Sequence, residues 1–341
     1  MIERFETDGG IRIYRIETQV LPHLRGFVNL VFGDGFAPIL IDTGCGSPAG
    51  TKEILDGFTE ITKNFEPNFR LPDIGTILLT HAHIDHFGGT NYFRQATGAS
   101  VACHRYDSRV VASYDERAAV GLMRHRTFLR ECGVPEERIG PILTGFGFLP
   151  GRTRSTAVDR LLTDGDTIGP ATVHHFPGHS AGHIVFEIGN YLVGGDLVLA
   201  KTLTQIWPER IMPQTGLVRY NESIDKLRAL ALVRQKEGKE VVLLPGHEEA
   251  ILTPVRRIAK VEAASKRRNE RLLEILRRSE EPLTCMEISR RLYLTSHESR
   301  TFFAVCDTAA RLEYLQLEGE LIAANYDHLG GDPAVRYDAR R

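Results

Sequence analysis

The chain has 341 residues, of which 42% are apolar and 25% charged; this is the make-up of a folded globular protein, long enough for two domains. A formal net charge of -2 gives the whole chain no polyanion-binding signature, and with no run of about 18 apolar residues no membrane partner is expected. The polar start, Met1 to Gly10, lacks the apolar stretch of a signal peptide, and Cys45, Cys103, Cys132, Cys285 and Cys306 are scattered and odd in number, so a reduced, cytoplasmic protein is expected.

The first part of the chain is β-rich. Ile11 to Val20 alternates loosely, and Phe27 to Phe32 and Pro38 to Asp42 are short apolar runs closed by Gly or Asp, as buried strands are. Thr51 to Phe65 places Ile54, Leu55, Phe58 and Ile61 at helical spacing. A strand is expected over Ile74 to Thr80, a helix over Gly88 to Thr97 and a strand over Ser100 to Cys103. Such alternation packs helices on sheet, an α/β fold. From Tyr106 to Thr156 the spacing turns helical and Arg and Glu become frequent. The segment reads as a helical insertion or lid, with a glycine-rich loop from Gly145 to Gly151 that carries Phe146, Phe148 and Leu149.

Strands return at Ala171 to Phe176, His183 to Ile188 and Tyr191 to Val193, the last two joined by a Gly189-Asn190 turn. A helix over Asn221 to Gln235 and a strand over Val241 to Leu244 follow. Beyond residue 254 come a long helix to Arg278, two further helices over Thr284 to Tyr293 and Ser296 to Leu315, and two strands, Glu320 to Asn325 and Ala334 to Asp338, joined through Gly330-Gly331-Asp332-Pro333. That is the element order of a winged helix, so the chain divides into residues 1–254 and 255–341.

The chemistry concentrates in Thr80 to Gly89, T-H-A-H-I-D-H-F-G-G. His81, His83, Asp85 and His86 fall within six positions directly after a strand. Imidazole and carboxylate are the ligand types of zinc and iron. Crowding them at the end of a buried strand costs desolvation free energy unless a cation offsets it. Three later segments repeat the arrangement of a His or Asp beside glycine at a strand end: Pro177-Gly178-His179, Gly194-Gly195-Asp196 and Pro245-Gly246-His247. Asp42, in Ile41-Asp42-Thr43-Gly44, is an earlier member of the series.

With these residues in this order, the first 250 or so residues resemble the metallo-β-lactamase-fold hydrolases. The resemblance implies an αββα sandwich with its site at one edge. It implies that His81, His83 and His179 hold one metal, that Asp85, His86 and His247 hold a second, and that Asp196 bridges them. Asp42 would then orient a ligand histidine, and His183 would support a ligand from outside or serve a structural role. Two zinc ions are the expected cofactors, with iron or manganese fitting the same donors. Two cations about 3.5–4 Å apart lower the pKa of a shared water toward neutrality, so the expected reaction is hydrolysis by a metal-bound hydroxide, with Asp85 helping to orient the water.

Residues from about 255 on resemble the winged-helix tail of one branch of this superfamily, which includes β-lactamase-like hydrolases and a mitochondrial endoribonuclease. Residues 256–300 carry twelve Lys and Arg against seven Glu, but the surplus falls to about +2 over 256–341. A dedicated nucleic-acid-binding domain is usually more basic. The tail therefore reads as a dimerisation or substrate-covering element, and a homo-oligomer is compatible with it. The expected partner is a small acyl compound, namely a thioester such as an acyl-CoA or glutathione thioester, an ester or a lactone. An endoribonuclease and an iron-dependent sulfur dioxygenase are the alternatives. The segment Thr204 to Arg219 precedes the last histidine and is expected over the site, with Arg210, Arg219 and Tyr220 as candidates to bind a substrate carboxylate or phosphate.

Overall fold

The computed structural model describes residues 1–21, 24–146, 151, 153–293, 298–325 and 333–339. Seven strands form the first sheet in chain order: β1 (Ile2–Glu6), β2 (Arg12–Leu21), β3 (Leu24–Phe32), β4 (Ile39–Ile41), β5 (Thr76–Leu78), β6 (Ser100–His104) and β7 (Arg160–Leu162). Pairing is antiparallel up to β4 and parallel from there to β7. The parallel steps are crossed by α1 (Pro48–Asn64), then by α2 (Ile84–Phe87) and α3 (Thr90–Thr97), then by α4 (Ser108–Ala112), α5 (Tyr114–Glu131) and α6 (Glu136–Phe146). A second sheet of β8 (Thr167–Ile168), β9 (Ala171–His175), β10 (Ile184–Ile188), β11 (Tyr191–Gly195) and β12 (Val242–Pro245) runs in the order β12-β11-β10-β9-β8.

Strand side chains alternate between two cores, as a two-residue period requires. Ile13, Val31, Ile41, Leu78 and Ala102 point into one core, where they meet Val173, Ile184, Phe186, Val193 and Leu244 of the second sheet. Their neighbours Tyr14, Leu30, Leu40, Ile77 and Val101 pack against Ile54, Phe58 and Ile61 of α1 and Phe93 of α3. The outer face of the second sheet, through Val185, Leu192 and Leu243, packs against α7 (Leu217–Lys236) and the first half of α8 (Pro254–Arg277). Both sheets are therefore buried on two sides, which explains their near-continuous apolar runs. Helix, sheet, sheet, helix is the αββα sandwich.

Past α8 the chain runs through β13 (Leu283–Thr284), α9 (Cys285–Leu292), α10 (Glu298–Leu317), β14 (Leu321–Ala323) and β15 (Arg336–Ala339), with β15 between the other two in a small antiparallel sheet. Thr284 caps α9 in a reciprocal bond with Glu287. Among the described residues the tail closes no core of its own. Phe128, Leu129, Ile139, Ile142 and Leu143 of the insertion share one cluster with Leu272, Met286, Ile288, Phe302, Val305 and Leu312. Insertion and tail are thus packed as a unit over one end of the sandwich. Phe302 is fully buried between them, so Phe302→Ala is expected to lower stability by about 3–5 kcal/mol, measured by urea denaturation.

Some expected elements differ. The strand expected over Ile74 to Thr80 is only Thr76–Leu78, because Thr80 N–H is taken by the Asp42 side chain. β1, β7, β8 and β13 carry no sufficient pattern: they are two to five residues long, and are held by pairing with distant strands. Phe148 and Leu149 of the glycine-rich loop, and Gly330-Gly331-Asp332 of the tail connection, lie outside the described residues. Among the described residues no helix is long and apolar enough to cross a membrane.

Candidate metal centre

Every residue of the expected ligand set sits where a strand ends. His81 and His83 follow β5, Asp85 and His86 lie in α2, His179 lies between β9 and β10, Asp196 follows β11, and His247 follows β12. The strand ends bring them into two groups whose donor atoms lie within 4.8 Å of one another: His81, His83 and His179, and Asp85, His86, Asp196 and His247. In the first group His81 Nε2 is 3.0 Å from His83 Nδ1 and 3.3 Å from His179 Nε2. In the second, Asp85 Oδ2 is 3.2 Å from His247 Nε2, and Asp196 Oδ1 is 3.4 Å from His86 Nε2. The other oxygen of Asp196, Oδ2, is 3.4 Å from His247 Nε2 and 3.7 Å from His179 Nε2, so this carboxylate faces both groups.

The remaining hydrogen bonds fix which ring nitrogen is bare. His179 Nδ1 donates to Gln205 O at 2.8 Å and His247 Nδ1 to Arg25 O at 2.6 Å. His86 Nδ1 is 2.9 Å from Asp42 Oδ2. Thr80 Oγ1 gives its one proton to Asp42 Oδ2 at 2.8 Å, so at 3.1 Å it accepts from His81 Nδ1. In all four rings Nδ1 is occupied and Nε2 is left to face the centre, the arrangement in which an outer partner orients a metal-binding imidazole.

Asp42 collects these bonds, with a third from Thr80 N–H at 2.8 Å to Oδ1. Its backbone sits at φ 61°, a left-handed conformation in which a non-glycine residue is strained and Asp or Asn is the usual exception. Close approach also accounts for two of the glycines. A Cβ on Gly246 would lie 2.4 Å from His86 Cε1 and 2.6 Å from Asp196 Oδ1. Gly195 has φ 47°, and a Cβ there would meet His183 Nε2 at 2.8 Å.

The electrostatics fit a cation. Burial first, and then the neighbouring histidines, hold His81 well below its ordinary pKa, and the same two causes, burial and then His179, bring His83 down to about 3. Neutral imidazole is the form that binds metals. In the second group burial opposes the charged form of His86, but Asp196, Asp42 and Asp85 outweigh it and lift His86 to about 10. Burial likewise opposes ionised Asp85, yet His86 and His247 hold it below the usual carboxylate range. The acidic group thus requires compensating positive charge. Among the buried polar atoms without a hydrogen-bond partner are His86 Nε2 and Asp196 Oδ1, which face each other across the centre. Buried polar atoms without partners are rare and costly, and a divalent cation satisfies both.

Three outer residues complete the centre. His183 is fully buried and its Nε2 accepts from Asp196 N–H at 3.1 Å, so it steadies Asp196 from behind. Arg25 supplies its carbonyl to His247, as above. Asp107, missed in the sequence, is a buried hub: Oδ2 accepts from Ala82 N–H at 2.9 Å and Ser180 Oγ at 2.8 Å, and Oδ1 accepts from Gly182 N–H at 2.8 Å. It ties the loop of His81 and His83 to the loop of His179. A single Asp with no neighbouring motif carries no sequence signal for this. Asp107→Ala is expected to reduce cation affinity about 10- to 100-fold, the effect typical of outer-sphere partners, measured by competition with a chelating dye.

The structure places the three candidate substrate residues away from the centre. Arg210 Nε is 3.1 Å from Glu313 Oε1, its guanidinium lies over the Phe128 ring, and it joins the insertion to the tail. Arg219 pairs with Glu222 at 3.0 Å on the surface. Tyr220 is buried with its hydroxyl donating to Leu197 O at 2.9 Å, and burial pushes its pKa up to about 12. None of the three lines the cavity beside the metal centre. That cavity, about 1380 Å³, is walled by His83, Asp85, His179, Asp196 and His247 on one side, by α5, and by Trp207, Met212 and Phe303. The 201–220 segment therefore covers the site as expected, but through Thr204, Trp207 and Met212 instead.

A family model described as the metallo-beta-lactamase superfamily matches residues 25–247. The chain is 26% identical over 299 residues to the probable metallo-hydrolase YqjP of Bacillus subtilis, an alignment covering 85% of this chain and 88% of that protein. It is 29% identical over 174 residues to the acyl-coenzyme A thioesterase MBLAC2 of Gallus gallus, covering 49% of this chain and 54% of that protein. Among solved structures, a metallo-beta-lactamase family protein from Thermus thermophilus aligns with a TM-score of 0.74 and 25% identity over 96% of this chain and 98% of that one.

Proposed function

The chain belongs to the metallo-beta-lactamase superfamily, and from that premise we propose that it is a dinuclear metal-dependent hydrolase of a small acyl thioester, ester or lactone, with zinc as its metal. The observation that carries this reading is the pair of donor groups with Asp196 facing both. His81, His83 and His179 would hold one cation and Asp85, His86 and His247 the other, with Asp196 between them. When bound, such a pair supplies a water acidic enough to attack at neutral pH and polarises the substrate oxygen. Three neutral imidazoles with carboxylates suit zinc.

The residues of the chain do the rest. Asp85 is ionised and reaches the cavity wall, where it accepts a hydrogen bond from the attacking water and orients it. Trp207, whose ring is 5.9 Å from that of His83, and Met212 and Phe303 exclude bulk water from the cavity and receive an apolar acyl chain. The kinship with an acyl-coenzyme A thioesterase over half of that protein supports the thioester reading. The helix, strand, helix, helix, strand, strand order of residues 255–341 supports reading the tail as a winged-helix element, and Phe303 on the cavity wall supports a covering role for it.

A panel of acyl-coenzyme A, acyl-glutathione, aryl ester and lactone substrates tests the proposal. Turnover of at least one, abolished by a chelator and restored by zinc, is the expected result. A panel with no turnover above background in the zinc-loaded protein contradicts it.

A further inference from the structure

The cavity is larger than the roughly 300–1,000 Å³ of ordinary small-molecule pockets, and its charged wall residues are nearly all committed. Asp85 and Asp196 belong to the metal centre, and Asp107 accepts three hydrogen bonds. Arg25 pairs with Glu53 at 3.0 Å and Glu17 at 3.4 Å, and Glu248 accepts from Thr202 Oγ1 at 2.8 Å and from the Lys201 and Thr202 amides. Among the described residues two charges remain, Arg117 and Arg124, both on α5.

They stand seven residues apart, two helical turns, with Gly121 between them, and all three line the cavity. The nearest carboxylate to Arg117 is Glu116 at 4.0 Å, and that group is already bonded to Arg109 at 2.8 Å. Arg117 Nε is buried and has no hydrogen-bond partner. Arg124 forms no ion pair among the described residues, whereas Arg126 and Arg130, near it on the same helix, are both bonded to Glu136. Arg124 is exposed and Arg117 is part-buried, so both guanidinium groups are open to an anion that enters the largely apolar cavity. Gly121 weakens the helix by about 1 kcal/mol relative to alanine, yet leaves the wall between the two arginines without a side chain.

We propose that Arg117 and Arg124 form an anion subsite that selects substrates whose leaving group ends in phosphate or carboxylate. The acyl carbonyl lies at the metal centre and the anionic end of the leaving thiol or alcohol reaches α5. Each planar guanidinium group suits the oxygens of a phosphate or carboxylate. The inference rests on the hydrolase reading, since that reading defines which part of the substrate leaves.

Calorimetric binding of three thiols to the full chain tests it: coenzyme A, which carries phosphates, glutathione, which carries carboxylates, and pantetheine, which carries neither. The expected result is that coenzyme A or glutathione binds at least about tenfold more weakly to Arg117→Ala/Arg124→Ala than to the unaltered chain, while pantetheine binds both alike. Loss for coenzyme A alone identifies phosphate as the anion, and loss for glutathione alone identifies carboxylate. Arg117→Lys/Arg124→Lys keeps the charge and is expected to recover part of the affinity. Arg126→Ala, outside the cavity wall, is expected to change none. Equal affinities for all three thiols in both proteins, equal losses for all three, or no binding by the unaltered chain would overturn the subsite. Because the readout is binding, an arginine-dependent affinity in a protein that hydrolyses none of the panel would sink the hydrolase reading and leave the subsite standing.

Discussion

Asp196→Ala is expected to cut turnover by about a thousandfold or more and to remove at least one cation per chain. The reason is geometric. One carboxylate places Oδ1 toward His86 and Oδ2 toward both His247 and His179, so it faces both donor groups. A lost metal-derived stabilisation of several kcal/mol amounts to one power of ten for each 1.36 kcal/mol. The fold should survive, because the backbone amide of Asp196 still bonds His183 and the β11 pairing does not involve the side chain. Asp196→Asn separates charge from shape: it preserves volume but gives one neutral oxygen where a shared anion is needed. Elemental analysis together with kcat/KM on the best substrate of the panel checks both variants, with circular dichroism to show that the sandwich persists. An Asp196→Ala protein that keeps two cations and normal turnover would remove the bridging role.

Asp42→Ala is expected to damage both stability and cation binding, although Asp42 belongs to neither donor group. Its carboxylate accepts from Thr80 N–H, Thr80 Oγ1 and His86 Nδ1, all within 2.9 Å and all buried. Removing it strands those donors, and breaking a buried charged pair costs about 3–5 kcal/mol. Alanine is also a poor occupant of the φ 61° backbone that Asp tolerates. Urea denaturation of the metal-free protein should register the first effect. A cation affinity about 10- to 100-fold weaker should register the second, because His86 loses its orienting partner. Asp42→Asn is expected to recover part of the stability, since asparagine accepts from Thr80 N–H and tolerates the backbone. It should recover less of the affinity, because its amide cannot serve both Thr80 Oγ1 and His86 Nδ1 as acceptor.

The sandwich and the donor set were legible in the sequence because the same physics shapes both. A strand buried on two faces reads as an apolar run, and a ligand at its end reads as His or Asp beside a glycine that a Cβ would exclude, as at Gly195 and Gly246. Partners drawn from distant helices were not legible. Arg210 was expected to bind a substrate anion, but Glu313 reaches it from the tail and the Phe128 ring from the insertion, both far from it along the chain. Tyr220 was expected to bind a substrate anion, but its hydroxyl donates to Leu197 O. Asp107 and the Arg117–Arg124 pair gain meaning only when the insertion folds back over the strand ends. The shared core of insertion and tail was likewise invisible, because helical spacing shows that a face is buried but not against what.

The proposed chemistry requires the two donor groups to hold two cations at once. Elemental analysis of the chain, loaded with zinc and dialysed free of excess, measures this directly. Two equivalents per chain, falling to about one in His247→Ala and in His83→Ala, is the result the geometry predicts. A chain that retains none, or whose content is the same in both variants as in the unaltered protein, would contradict it.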